Sequence, residues 1–326
     1  VREYMVRRIL LMIPTLLLVS IIVFFGMRLV PGNIVDIMVN MAQGLSPEGA
    51  APDRADIERQ LGLDVPIHIQ YFRWIGNIII HGDFGKSMWT GLPVIHDILV
   101  RMPVTIELSV LALIVAMLIS LPIGVFSALR QDSLGDYAAR SFAILCIAVP
   151  GFWLGTLIIV FPSIWWGYMP RIVVVSFAED PVANLKMFII PSIVLGMGMA
   201  GGTMRMIRSM MLEVLRQDYI RTAWSKGLKE RAVIVRHALK NAMIPVITIV
   251  AIYVPGLFGG AVIIEQIFSI PGMGRLIVHS TLSRDYQMVC AIMLIMAVFL
   301  VFLNLIVDLA YAFIDPRVGF ENRGGT

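Results

Sequence analysis

Six stretches of the chain are almost wholly apolar, running roughly from Ile9 to Val30, Val104 to Leu129, Ala138 to Ile164, Met187 to Met204, Ala242 to Ile264 and Met288 to Ile314. A helix of roughly 20 residues, rising about 1.5 Å per residue, crosses a hydrocarbon core of about 30 Å. Inside lipid every backbone polar group needs an internal partner, which only helices and closed barrels provide. Barrel strands would show as short alternating segments, and these long runs do not alternate. The pattern predicts an all-α integral membrane protein with six spans. Pro14, Pro122, Pro150, Pro191 and Pro255 fall inside the runs and are expected to kink the helices rather than end them. Gly196, Gly198, Ala200, Gly201 and Gly202 give the fourth run a small face suited to close helix packing. The first run follows Arg7 and Arg8, as a secretory signal would. It is longer than a signal core and ends in Pro31-Gly32-Asn33 without a small-residue cleavage pattern, so a retained helix is expected.

Two polar connections are long. Residues 31–103 are rich in acidic groups but carry apolar positions around Ile67 to Ile80, which predict a small folded part; Ala42 to Pro52 reads as a flexible loop. The other, Arg205 to Asn241, is amphipathic and basic, with Arg221, Lys226, Lys229, Arg231, Arg236 and Lys240. Within it, Tyr219 to Ser225 predicts a short helix, Gly227 a break, and Lys229 onward a helix that leads into the fifth run. A solvated basic loop would suffice to set orientation. A compact helix–Gly–helix device is more than orientation needs and would suit a knob seated in a partner's groove.

Composition agrees with the membrane reading: 58% of residues are hydrophobic and 15% charged, against about 25% charged in soluble domains. The net charge of +4 lies between the apolar runs rather than in a patch, which argues against nucleic-acid binding. About sixteen Lys and Arg fall on one side and about nine on the other, the nine spread over longer connections. The positive-inside rule therefore predicts both termini in the cytoplasm of a cell-membrane protein. The expected layout is a cytoplasmic N-terminus with the first span (1–30), an extracytoplasmic region (31–103), a five-helix core (104–315) with a cytoplasmic loop (205–241), and a cytoplasmic tail (316–326). Trp165, Trp166 and Tyr168 would then form part of the outer aromatic belt.

No catalytic constellation emerges. There is no HExxH, GxSxG or phosphate loop, so ATP binding by this chain alone is not expected. The five histidines, His68, His81, His96, His237 and His279, are scattered, and Cys146 and Cys290 lie in apolar runs without a CxxC, so no metal site is expected. An autonomous ion-coupled carrier would place ionisable groups near mid-membrane. Here Glu107, Glu265 and Asp308 lie near span ends, and no inverted repeat is evident. Energy from a partner ATPase docked on the basic loop fits that gap.

The segment DYIRTAWSKGL followed by RHALKNAMIP resembles the EAA loop of permeases of ABC importers of the dipeptide, oligopeptide and nickel class. Where the general motif has Glu-Ala-Ala, this sequence has Arg221, Thr222 and Ala223, with Gly227 in place and a longer spacing to Pro245, as in the peptide and nickel class. The likeness covers nearly the whole chain. RRILLMIPTLLLVSIIVFFGMRLVPGN is similar to the first-span signature, and LGLDVPIHIQYFRWIGNIIIHGDFGKSMWTG to the outer region. FSIPGMGRLIVHSTLSRDYQMV and NLIVDLAYAFIDPRV are similar to the final third. The resemblance implies a six-helix, MetI-like type I importer permease with an extracytoplasmic insertion after its first helix. It implies a non-catalytic transport subunit with four kinds of partner: a second homologous permease, two cytoplasmic ATPases that bind ATP and Mg2+, an external solute-binding protein, and the bilayer. Peptides are the expected solute; nickel, glutathione, opines and oligosaccharides share the architecture. Tyr219, Arg221, Thr222, Ala223, Lys226 and Gly227 would form the ATPase-coupling loop, with Thr222 and Ala223 small enough to let its helix sit deep in a groove.

Overall fold

The computed structural model describes residues 2–29, 63–167 and 174–314, together with Val35, Val39, Glu58 and Arg59; side chains are described within 8–307 of these. The loop expected at Ala42 to Pro52, Tyr168 and the tail 316–326 lie outside the described residues. The helices are α1 (Arg2–Leu29), α2 (Ile67–His81), α3 (Val94–Leu129), α4 (Leu134–Ala148), α5 (Gly151–Trp166), α6 (Pro181–Leu215) and α7 (Asp218–Ser225). After these come α8 (Glu230–Ile267), α9 (Met273–Leu282) and α10 (Tyr286–Ile314).

Five of these helices, α1, α3, α6, α8 and α10, are long and apolar enough to cross a membrane. The third predicted span, Ala138 to Ile164, is not one helix. It is the pair α4 and α5, bent by 91° at their junction. Pro150 is the cause: it has no N–H to give the helix and its ring disfavours helical geometry at the residue before it. Val149 accordingly sits at φ −82°, ψ 118°, and Pro150 becomes the N-cap of α5. The expectation that Pro150 only kinks its span is therefore corrected. Pro14, Pro122, Pro191 and Pro255 do lie inside continuous helices.

The chain divides into two compact units. In the unit of residues 101–275 and 303 onward, α6 packs against α4, α5 and α8. Three clusters lie along it. Phe188 and Val194 meet Ile264, Phe268 and Ile270 at one end. Ala143, Cys146, Met199 and Ala200 meet in the middle. Ile207 and Met211 join Ile220, Ala223, Val233 and Ala238 at the other end. The glycines of α6 serve this packing. A Cβ on Gly196 would lie 2.5 Å from the Ala112 carbonyl oxygen, and one on Gly201 would lie 2.6 Å from that of Ala143. Without a hydrophobic drive between helices in lipid, such close backbone approach is a main source of cohesion.

The unit of residues 2–100 and 276–302 is aromatic at its centre. Phe24 of α1 meets the rings of Tyr71 and Trp74 of α2 at 5.4 and 5.5 Å, and Ser20 shares a 2.9 Å hydrogen bond with the Tyr71 hydroxyl. Beyond α2, Ser87 Oγ donates to Asp285 Oδ2 at 2.5 Å and the Trp89 ring N–H donates to the Ser283 carbonyl at 2.8 Å. The folded part expected around Ile67 to Ile80 is therefore α2.

Candidate functional site

The basic segment after α6 folds into a short helix seated on a helix of unusual pitch. α6 runs on to Leu215, well past the predicted end of its span. Arg216 and Gln217 then turn the chain into α7. Ile220 and Ala223, one turn apart, are the buried residues of α7. They pack with Ile207 and Met211 of α6 and with Val233 and Ala238. The latter two belong to a π-helical segment, Val233–Leu239, inside α8. Such segments are rare and cluster at functional sites. Asn241 Nδ2 donates to the Tyr219 hydroxyl at 3.1 Å and to the His237 carbonyl at 2.9 Å, tying α7 to that segment.

The end of α7 is a Schellman turn. Gly227 adopts φ +72°; its N–H reaches the Trp224 carbonyl at 2.9 Å, and the Leu228 N–H reaches that of Ala223 at 3.4 Å. The outward face carries Asp218, Arg221, Thr222, Ser225 and Lys226. Arg221 pairs with Asp218 at 3.6 Å with both side chains open to the surroundings, an arrangement that adds little stability and leaves the guanidinium available.

Nearby, an ionic cluster joins α3, α4 and α6. The Asp136 carboxylate is fully buried and accepts both arms of Arg208, at 2.8 and 2.7 Å. Ser127 Oγ donates to it at 2.5 Å and the Asp132 N–H at 3.0 Å, while Arg140 stands 3.8 Å away. Such a bidentate, charge-assisted pair fixes orientation as well as distance. A second buried carboxylate, Glu265 at the far end of α8, accepts from Thr105 Oγ1 at 2.6 Å and the Arg275 N–H at 3.0 Å. A Cβ on Gly272 would overlap that carboxylate, so the Ile-Pro-Gly-Met-Gly turn closes around it. Among the described residues, no group of three or more His, Cys, Asp or Glu side chains could hold a metal.

The model of the family "Binding-protein-dependent transport system inner membrane component" matches residues 120–320, and that of its N-terminal region matches residues 1–109. The chain belongs to this family. It is thus the inner-membrane, non-catalytic component of a transport system that works with a substrate-binding protein. The permease is 39% identical to the oligopeptide transport system permease protein AppB of Bacillus subtilis, over 97% of this chain and 99% of that one. It is 38% identical to a putative peptide transport system permease protein of Brucella suis, over 97% and 98%. It is 36% identical to the dipeptide transport system permease protein DppB of Escherichia coli, also over 97% and 98%. Among solved structures, an amino acid ABC transporter with histidines matches at a TM-score of 0.48 and 15% identity, covering 68% of this chain and 94% of that one.

The permease brings the predicted loop residues together but divides them between two faces. Arg221, Thr222 and Lys226 are exposed, Tyr219 lies at the edge with its hydroxyl engaged, and Gly227 ends the helix. Ala223 is only 6% exposed. It faces this chain's own core, so the expectation that it lines a groove-seated surface is corrected: the one-turn spacing from Ile220 turns it inward. Pattern reading missed Trp224 and Leu228, apolar yet 45% and 39% exposed. It also missed Asp136 and Arg208, which pair across 72 positions of sequence.

Proposed function

We propose that this chain is the permease subunit of an ATP-driven importer of di- or oligopeptides. The supporting observation is that relatives 36–39% identical along nearly its whole length are named oligopeptide, peptide and dipeptide permeases. In this reading a solute-binding protein delivers the peptide from outside, and a second homologous permease completes the pathway. Two ATPases bind ATP and Mg2+ beneath it. Both termini and Arg205 to Asn241 face the cytoplasm, and 31–103 lies outside, in keeping with the distribution of Lys and Arg.

α7 is then the coupling helix. Arg221, Thr222, Lys226 and the exposed Trp224 meet the ATPase, while Ile220, Ala223 and the Tyr219 hydroxyl hold the helix to its own subunit. Gly227 sets its length. Two residues join α7 to α6, and its buried face rests on the π-helical start of α8. A displacement of α7 on ATPase closure therefore passes to two spanning helices at once. Alternating access follows if ATP favours one arrangement of those helices over the other.

The test is uptake by the complete importer in proteoliposomes. Labelled dialanine should accumulate only with ATP, with the binding protein and with both ATPases, and unlabelled di- and tripeptides should compete. Competition by nickel, glutathione or oligosaccharides in place of peptides would assign another solute. Uptake by this chain without ATPases would make it an autonomous carrier and overturn the reading.

A further inference from the structure

One cavity takes no part in the coupling surface. It lies in the unit of residues 2–100 and 276–302, encloses about 160 Å³, and is lined by Arg28 of α1, by Gln70, Arg73 and Trp74 of α2, and by Asp83 and Gln287. One of its buried donors lacks an acceptor. Trp74 is buried, and its ring N–H has no hydrogen-bond partner among the described residues. The Arg28 guanidinium rests on the rings of Phe24 at 5.2 Å and Tyr286 at 5.9 Å. A cation over ring faces can still direct its in-plane N–H edges to an acceptor. Among the described lining residues the one carboxylate is Asp83, whose Oδ1 accepts the Gly85 N–H at 2.8 Å. An unpartnered buried N–H costs free energy that an acceptor would recover. Paired guanidinium and indole donors in a small cavity call for an oxyanion.

The surroundings identify the carrier of that oxyanion. Arg28 stands at the last turn of the first spanning helix, where the hydrocarbon gives way to headgroups. The adjoining outward faces are apolar: Leu29 is 83% exposed, Phe72 68%, Ile79 75% and Ile80 74%. Acyl chains can lie against these residues while a phosphate reaches the donors. The Gln70 Oε1, buried and also without a partner among the described residues, supplies an acceptor for a hydroxyl or ammonium of the same headgroup.

We propose that this cavity binds the phosphodiester of one phospholipid headgroup, with Arg28 and the Trp74 N–H as its principal donors. The site is independent of the solute that the permease carries.

The assembled transporter, delipidated in detergent, can be titrated with palmitoyl-oleoyl-phosphatidylglycerol and read by native mass spectrometry. One phospholipid per copy of this chain should bind ahead of the rest. Arg28→Gln and Trp74→Phe should each weaken that first binding about tenfold, with Arg28→Lys intermediate. Trp74→Phe keeps a ring in place, so it remains informative if Arg28→Gln assembles poorly. Dioleoylglycerol, which lacks the phosphate, should not compete. Equal competition by dioleoylglycerol, or unchanged binding in assembled Trp74→Phe and Arg28→Lys, overturns the proposal. Displacement of the first lipid by millimolar inorganic phosphate assigns the site to a free ion and overturns the lipid as its occupant.

Discussion

Gly227 shows how much one backbone angle can decide. At φ +72° it lets two N–H groups close back on α7, and a Cβ there would touch nothing within 4 Å. The objection to other residues is therefore conformational and not steric. A β-branched residue costs about 1–2 kcal/mol in this geometry, whereas Asn adopts it more readily than other non-glycine residues. Gly227→Val should insert and assemble but lose transport and binding-protein-stimulated ATPase activity together, and Gly227→Asn should keep most of both. Normal transport by Gly227→Val, measured beside assembly, would mean that α7 needs no fixed end. This glycine was legible in the sequence because a basic helix-forming stretch stops at it. The inward turn of Ala223 was not. A small residue suits a tight groove and a tight core equally well, and only the one-turn spacing from buried Ile220 separates the two. Trp224 escaped notice because an aromatic within an amphipathic segment reads as core until the core's direction is known.

At the scale of elements, the long apolar runs announced the spanning helices, since lipid forces one solution on every such run. Their ends and breaks were less legible. α6 and α8 continue beyond the apolar stretches because tertiary packing, on Ile207 and Met211 in one and on Val233 and Ala238 in the other, supports helix where hydropathy no longer demands it. The clamp between α4 and α6 left no local signal at all. Asp136 and Arg208 are 72 positions apart, and Arg140, one helical turn from Asp136, is the more distant partner. A buried carboxylate that loses a charged hydrogen-bond partner costs roughly 1.5–3 kcal/mol. Asp136→Ala and Arg208→Ala should each lower the thermal midpoint of the purified permease. Because each strands the same interaction, the double variant should lose clearly less than the sum of the singles. Additive losses would show that the two residues stabilise α4 and α6 separately.

For the molecule as a whole, orientation is carried by charge alone, because a bundle of apolar helices is equally content either way up. The greater number of Lys and Arg lies on the side of α7 and of the connection between α3 and α4, and that side should face the cytoplasm. The broken span makes this a sharper test than six straight helices would. If α4 and α5 together cross the membrane, Ser176, exposed before α6, and Ser225, exposed at the end of α7, lie on opposite sides, with α6 crossing between them. If α4 and α5 instead dip in and return, the connection before α4 and the residues before α6 share a side. Single cysteines at Gln131, Ser176 and Ser225, in a chain lacking Cys146 and Cys290, distinguish these cases. An impermeant maleimide applied to intact cells should label Ser176→Cys alone, and Gln131→Cys and Ser225→Cys should react only after permeabilisation. Labelling of Gln131→Cys together with Ser176→Cys from outside would make the bent pair re-entrant. Labelling of Ser225→Cys from outside would place the basic helix beyond reach of any cytoplasmic ATPase and end the coupling proposal.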